Sequence, residues 1–181
     1  MNLSRIKNST RLRNFRQDCV NLFFNGLLSS FLIPWQLRLA VLRLWTHGGV
    51  QGVIHGHCFI ESRQLFVGAG SYLNVHCKLY NAGAEIRIGK NCALAYGVSI
   101  HTTTHRADNC RRRAGVASGK PVSIGDGCWI GGNAVILPGV VIGEGCIIAA
   151  GSVVTGDCES QCLYAGNPAV KKKELPKETD R

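Results

Sequence analysis

The chain has no apolar run of the roughly 20 residues that a membrane-spanning helix needs, and no low-complexity segment. Its most apolar region, Val20 to Trp45, is broken by Asn21, Asn25, Pro34, Gln36, Arg38 and Arg43. Pro34 and Trp35 stand where a secretory leader would carry small residues for cleavage, so the signature of export is missing too. Acidic residues are scarce, 11 against 21 Lys and Arg, for a formal charge of +10. That balance suits nucleic acid, an anionic membrane surface or an anionic cofactor. With no helix-turn-helix or zinc-finger spacing, and no basic stripe interleaved with aromatics, nucleic acid is not the expected partner. The positive charge gathers in Arg5, Lys7, Arg11, Arg13 and Arg16, in Arg111 to Arg113, and in Lys171 to Lys173.

What is present is period. From Ile124 to Glu159 the chain repeats every six residues, an aliphatic residue followed by a small one, as in Ile124-Gly-Asp-Gly-Cys-Trp and Ile142-Gly-Glu-Gly-Cys-Ile. A six-residue period predicts a parallel β-helix. Each unit makes one short strand and one turn, three units close a triangular coil, and stacked coils align like positions into a continuous core. The register extends upstream through Ile54, Ile60, Val67, Leu73, Leu79, Ile88, Leu94 and Ile100. The expected organisation is a helical N-terminal segment over 1–50, a β-helix over 51–166 with a loop at 101–121, and a tail over 167–181. The N-terminal apolar residues fall at helical spacing. They predict two amphipathic helices that cap the open end of the solenoid, and their arginines and tryptophans add an expected contact with an anionic membrane surface.

Nine cysteines invite a disulfide or metal reading, which their positions oppose. Cys58, Cys77, Cys92, Cys128, Cys146 and Cys158 all take the fifth place of a unit, where Ala134, Val140 and Ser152 stand elsewhere. Cysteine there is a small buried hydrophobe. Cys19, Cys110 and Cys162 fall outside this account. The odd count without an export signature predicts a reducing, cytoplasmic setting.

The period fails after Ile100 and resumes at Ile124, and an interruption of this length inside a solenoid marks function. Around it stand Thr104-His105, Asp108, Arg112 and Gly119-Lys120-Pro121-Val122, then Trp129-Ile130-Gly131, Pro138-Gly139-Val140, Ala150-Gly151-Ser152 and Gly166-Asn167-Pro168-Ala169. Over Val53 to Lys173 this ensemble resembles the hexapeptide-repeat O-acetyltransferases of the maltose, galactoside and nodulation-factor group. The resemblance implies a left-handed β-helix, a homotrimer, and acetyl-CoA lying between subunits as the acetyl donor, with no metal. It makes His105 the general base and Asn74 the holder of the acceptor hydroxyl. It puts Trp129 beside the pantetheine arm, Gly132 in the stretch supplying oxyanion donors, Ala150 and Thr155 along the cofactor groove, and Lys171 and Lys173 at the cofactor phosphates.

The residue chemistry of His105 points the same way, since an imidazole with a reference pKa of about 6.5 can take a hydroxyl proton near neutrality. Zinc binding by His101 and His105 is not expected, because three β-branched threonines between them favour extended chain. The sequence departs from the family pattern in two places: Arg106 follows His105 where a proline is common, and a basic apolar segment replaces the usual N-terminal domain. The second shifts the expected acceptor from free sugars to a surface-glycan sugar handled at the inner membrane face. A xenobiotic acetyltransferase, serine O-acetyltransferase, a γ-type carbonic anhydrase using His76, His101 and His105, and a non-catalytic scaffold are the alternatives.

Overall fold

The computed structural model describes residues 15, 18–19, 21–30, 32–108 and 110–176. The basic residues Arg5 to Arg16 lie outside them.

Five coils follow one another. The first holds β1 (Val53–Ile54), β2 (Phe59–Ile60) and β3 (Leu65–Val67), and the second β4 (Tyr72–Leu73), β5 (Lys78–Tyr80) and β6 (Ile86–Ile88). The third begins with β7 (Ala93–Leu94) and β8 (Ser99–His101), sends out β9 (Thr103–Ala107) and β10 (Ala114–Gly119), and closes with β11 (Val122–Ile124). The fourth is β12 (Trp129–Ile130), β13 (Val135–Ile136) and β14 (Val141–Ile142). The fifth has β15 (Ile147–Ile148), β16 (Val153–Val154) and a bridge from Cys158 to Ile142, before β17 (Cys162–Gly166) and β18 (Ala169–Glu174).

Pairing between coils is parallel and builds three faces. Face A is β3-β6-β11-β14, face B is β1-β4-β7-β12-β15-β17, and face C is β2-β5-β8-β13-β16. This is the expected left-handed β-helix. Its cause is visible in the register. On face B, Ile54, Leu73, Leu94, Ile130 and Ile148 are paired in line, and each is buried. Full burial of one such side chain stabilises by about 1.5–3 kcal/mol, so the ladder of first-place aliphatics dominates the fold.

All six fifth-place cysteines are buried and reduced, as the repeat predicted. Several donate to the next coil, Cys128 Sγ to the Gly143 carbonyl at 3.0 Å and Cys146 Sγ to that of Glu159 at 2.9 Å. Burial raises the Cys146 thiol and pushes Cys158 up to about 12, so both remain neutral. Cys162 is buried as well, while Cys19 and Cys110 are exposed.

The N-terminal segment covers the first coil with a π-helix, Asn21–Leu27, and one α-helix, α1, Trp35–Trp45. Asn25 completes the uncovered edge, its Oδ1 accepting from Ile60 N–H at 2.7 Å and its Nδ2 donating to Ile60 O at 2.9 Å. Phe24 stacks on Trp45 at 4.1 Å. Leu39 and Leu42 of this helix are buried. Arg38 is buried with them and donates to the carbonyls of Leu28, Ser30 and Ile33, while Leu37 and Leu44 of the same helix face outward.

Two segments differ from expectation. The loop at 101–121 is a β-hairpin, β9 against β10 in antiparallel register, because backbone pairing needs no apolar alternation. The tail at 167–181 begins as the second arm of another hairpin, β17 against β18, turned by Asn167-Pro168 with a cis peptide bond.

Candidate active site

His105 sits in the middle of β9, whose residues are all exposed. Its Nδ1 lies 2.9 Å from the Gly115 carbonyl on β10. A carbonyl can only accept, so Nδ1 carries the hydrogen and Nε2 presents its lone pair outward. The consecutive threonines Thr102 to Thr104 stiffen the extended chain, and the base is anchored where Lys120 N–H donates to Thr102 O at 2.8 Å. Glycine is required at that base, since a Cβ on Gly119 would run into the Gly83 backbone.

Asn74 follows β4 at the corner joining faces B and C. Its Oδ1 accepts from Val75 N–H at 2.8 Å, which fixes the side chain against the turn. Hydrogen bonds from Gly97 N to Val75 O, Asn133 N to Tyr96 O and Gly151 N to Gly132 O align this corner through the coils. Asn74, Gly132 and Ala150 therefore lie along one edge. Beside them Gly131 packs so closely on the next coil that a Cβ would meet Ala150 N. Small residues leave the edge shallow, and the exposed rings of Tyr96 and Trp129 rise along it. A long, thin, partly apolar ligand fits such a strip.

Thr155 follows β16 at a different corner, between faces C and A, the one from which the His105 hairpin departs. The sequence-predicted residues thus form two groups, Asn74, Trp129, Gly132 and Ala150 on one side of face C, His105 and Thr155 on the other. One chain does not bring them together.

Two expectations are revised. Trp129 and Gly131 N–H donate to Cys146 O and Ile148 O at 2.9 and 2.7 Å, so the ladder has taken them and they are not oxyanion donors. Lys171 and Lys173 do not share a face: a bulge pairs Lys171 with Tyr164 and Lys173 with Leu163, neighbours on opposite sides of β17. Lys171 is held at 2.7 Å by Glu159 and 3.2 Å by Glu174, and these hydrogen bonds raise its pKa.

The sequence reading missed His55 and His57 near Asn74 and weighed His76 only as a zinc ligand. His55 precedes it by one coil in the same row, with its ring 6.5 Å from that of Tyr72. His57 stacks on His76 at 5.6 Å, both in the left-handed region. Their shared place before the fifth-position cysteine was the available signal. His101 stacks instead on Tyr80 at 4.7 Å, away from His105. Among the described residues no cluster of three His, Cys, Asp or Glu could hold a metal. A separate open groove of about 530 Å³ on face A is lined by His47, Phe66, Arg87 and Lys90, among others, and by none of the predicted site residues.

Comparison with known proteins bears on this geometry. The family of bacterial transferase hexapeptides (six repeats) matches residues 121–156. Nodulation protein L of Rhizobium meliloti is 45% identical over 103 residues, 57% of this chain and 56% of that protein. The chain spans little more than half the length of the curated relatives it matches. A maltose O-acetyltransferase from Clostridium difficile superposes with a TM-score of 0.80 at 30% identity, over 90% of this chain and 88% of that one. A hexapeptide-repeat acetyltransferase from Vibrio cholerae, solved in complex with acetyl-CoA, gives 0.70 at 29% identity over 85% and 86%. Repeat, fold and these matches together establish that the chain belongs to the hexapeptide-repeat acetyltransferase family.

Proposed function

We propose that this protein transfers an acetyl group from acetyl-CoA to a hydroxyl of a cell-surface polysaccharide sugar, with His105 as general base. The observation that carries the reading is the hydrogen bond from His105 Nδ1 to the Gly115 carbonyl on an exposed arm, which in the neutral ring puts the lone pair on Nε2. Nε2 accepts the proton of the attacking hydroxyl as the C–O bond to the thioester carbonyl forms, and returns it to the departing thiolate as the C–S bond breaks. Asn74 orients that hydroxyl. Gly132, past the strand end, replaces Trp129 and Gly131 as the backbone donor to the developing oxyanion. Trp129 and Ala150 flank the pantetheine arm along the shallow edge, with Thr155 at the neighbouring corner, and Lys173 is the better placed of the two lysines for phosphate.

Because His105 and Asn74 stand on opposite sides of face C, the working site takes one group from each of two copies, which supports a homotrimer closed around face C. The nine free thiols and the cofactor support a cytoplasmic setting. The acceptor class rests on the basic, apolar character of the N-terminal sequence.

The test is thiol release from acetyl-CoA over free, nucleotide-linked and glycan-derived sugars, beside His105→Ala. Turnover on one class that falls by roughly 10²- to 10⁴-fold in the variant is expected. Absence of both acceptor-dependent release and acetyl-CoA binding would overturn the reading.

A further inference from the structure

The N-terminal cap has two apolar faces. Leu28, Leu39 and Leu42 are buried on the core, where Arg38 also donates to three carbonyls and Asn25 pairs with Ile60. A second set is left in water: Leu22 is 75% exposed, Leu32 91% and Leu44 78%, and Leu27, Leu37 and Trp35 are exposed between them. A soluble surface rarely gathers large aliphatics at one end of the molecule without a partner. In water this arrangement forfeits the burial that holds the rest of the fold together.

Charge identifies the partner. Of the residues before Glu61 only Asp18 is acidic, against seven Arg and Lys. Arg38 and Arg43 are bound to backbone carbonyls, and the other five, Arg5 to Arg16, precede the π-helix in sequence. Leucines and an interfacial tryptophan next to a run of cations without acids match a bilayer surface with anionic headgroups. No helix among the described residues is long and apolar enough to cross a membrane, so the contact is superficial. We infer that the exposed apolar residues of the cap, Leu22 to Leu44, dock the protein on an anionic phospholipid bilayer.

The experiment is co-sedimentation of the full chain with phosphatidylcholine vesicles, with and without phosphatidylglycerol. The protein should pellet with the anionic vesicles, be released by raised salt, and lose roughly tenfold or more in partitioning for each of Leu32→Glu and Leu37→Glu. The headgroup and salt dependence are read on the unaltered chain and do not depend on how the variants fold. Failure to pellet, or equal pelleting with neutral vesicles, overturns the inference. So does a fall in particle size of Leu32→Glu without lipid, which would make these residues a contact between copies.

Discussion

A carbonyl on one strand decides which nitrogen of His105 can act, and contacts of this size also decide how other residues behave. The cysteines divide by burial: Cys19 and Cys110 are exposed, and the seven others are buried. A water-soluble thiol reagent should label those two rapidly on the native protein and the remainder only as it unfolds; fast labelling of Cys128 or Cys146 would contradict the packing. His101 gives a pH signature. Burial lowers its pKa from 6.5, with Glu61 opposing, so the folded chain keeps the ring neutral where the unfolded chain would take a proton. Stability from this residue is full above the unfolded value and falls as pH drops through the window towards the folded one. The urea midpoint should decline from about pH 7 to about pH 5, and His101→Phe should flatten the decline. Sequence alone placed the cysteines, because their burial follows from residue type and place in a repeat, and it put His105 in the interruption of that repeat, where an exposed strand stands. The commitment of Lys171 to Glu159 and Glu174 was not legible, because a single-residue bulge sets which way each lysine faces.

At the scale of elements, hairpin β9–β10 is a rigid arm where sequence suggested a loop. Ala114 to Gly119 is small and exposed, with none of the alternation that marks a half-buried strand, and only the antiparallel pairing with Thr103 to Ala107 makes it one. Its position depends on the close approach of Gly119 to Gly83. Gly119→Ala should shift the arm and lower kcat by roughly 100-fold while the thermal transition of the β-helix stays in place. Unchanged turnover would show that the arm is not what positions the base. The cap was half legible: helical spacing announced helices over the open end, but periodicity could not show that Arg38 turns in beside Leu39 and Leu42 while Leu37 and Leu44 turn out. Arg38 turns in because three carbonyls at the ends of the π-helix and the following turn need donors.

For the whole molecule, the six-residue period carried the fold almost completely, since stacked aliphatics admit one register. The candidate site could be named residue by residue but not arranged, because period says nothing of which corner faces which copy. Face C lies between the two half-sites, and its outward Phe59, Tyr80, His101, Val135 and Val153 are only partly exposed. Val153→Arg should reduce the oligomer to single chains in sedimentation velocity and abolish thiol release together; a monomer that keeps full activity would refute the shared site. The register also carries a statement about chain entropy. Trp129 pairs with Ile147, 18 residues on, but with Ala93, 36 residues back, because the arm is inserted between. Doubling a closed loop costs only about 0.6 kcal/mol. Inserting the arm there is a small entropic increment on one coil closure, so the chain tolerates its length while the prism beneath stays the same.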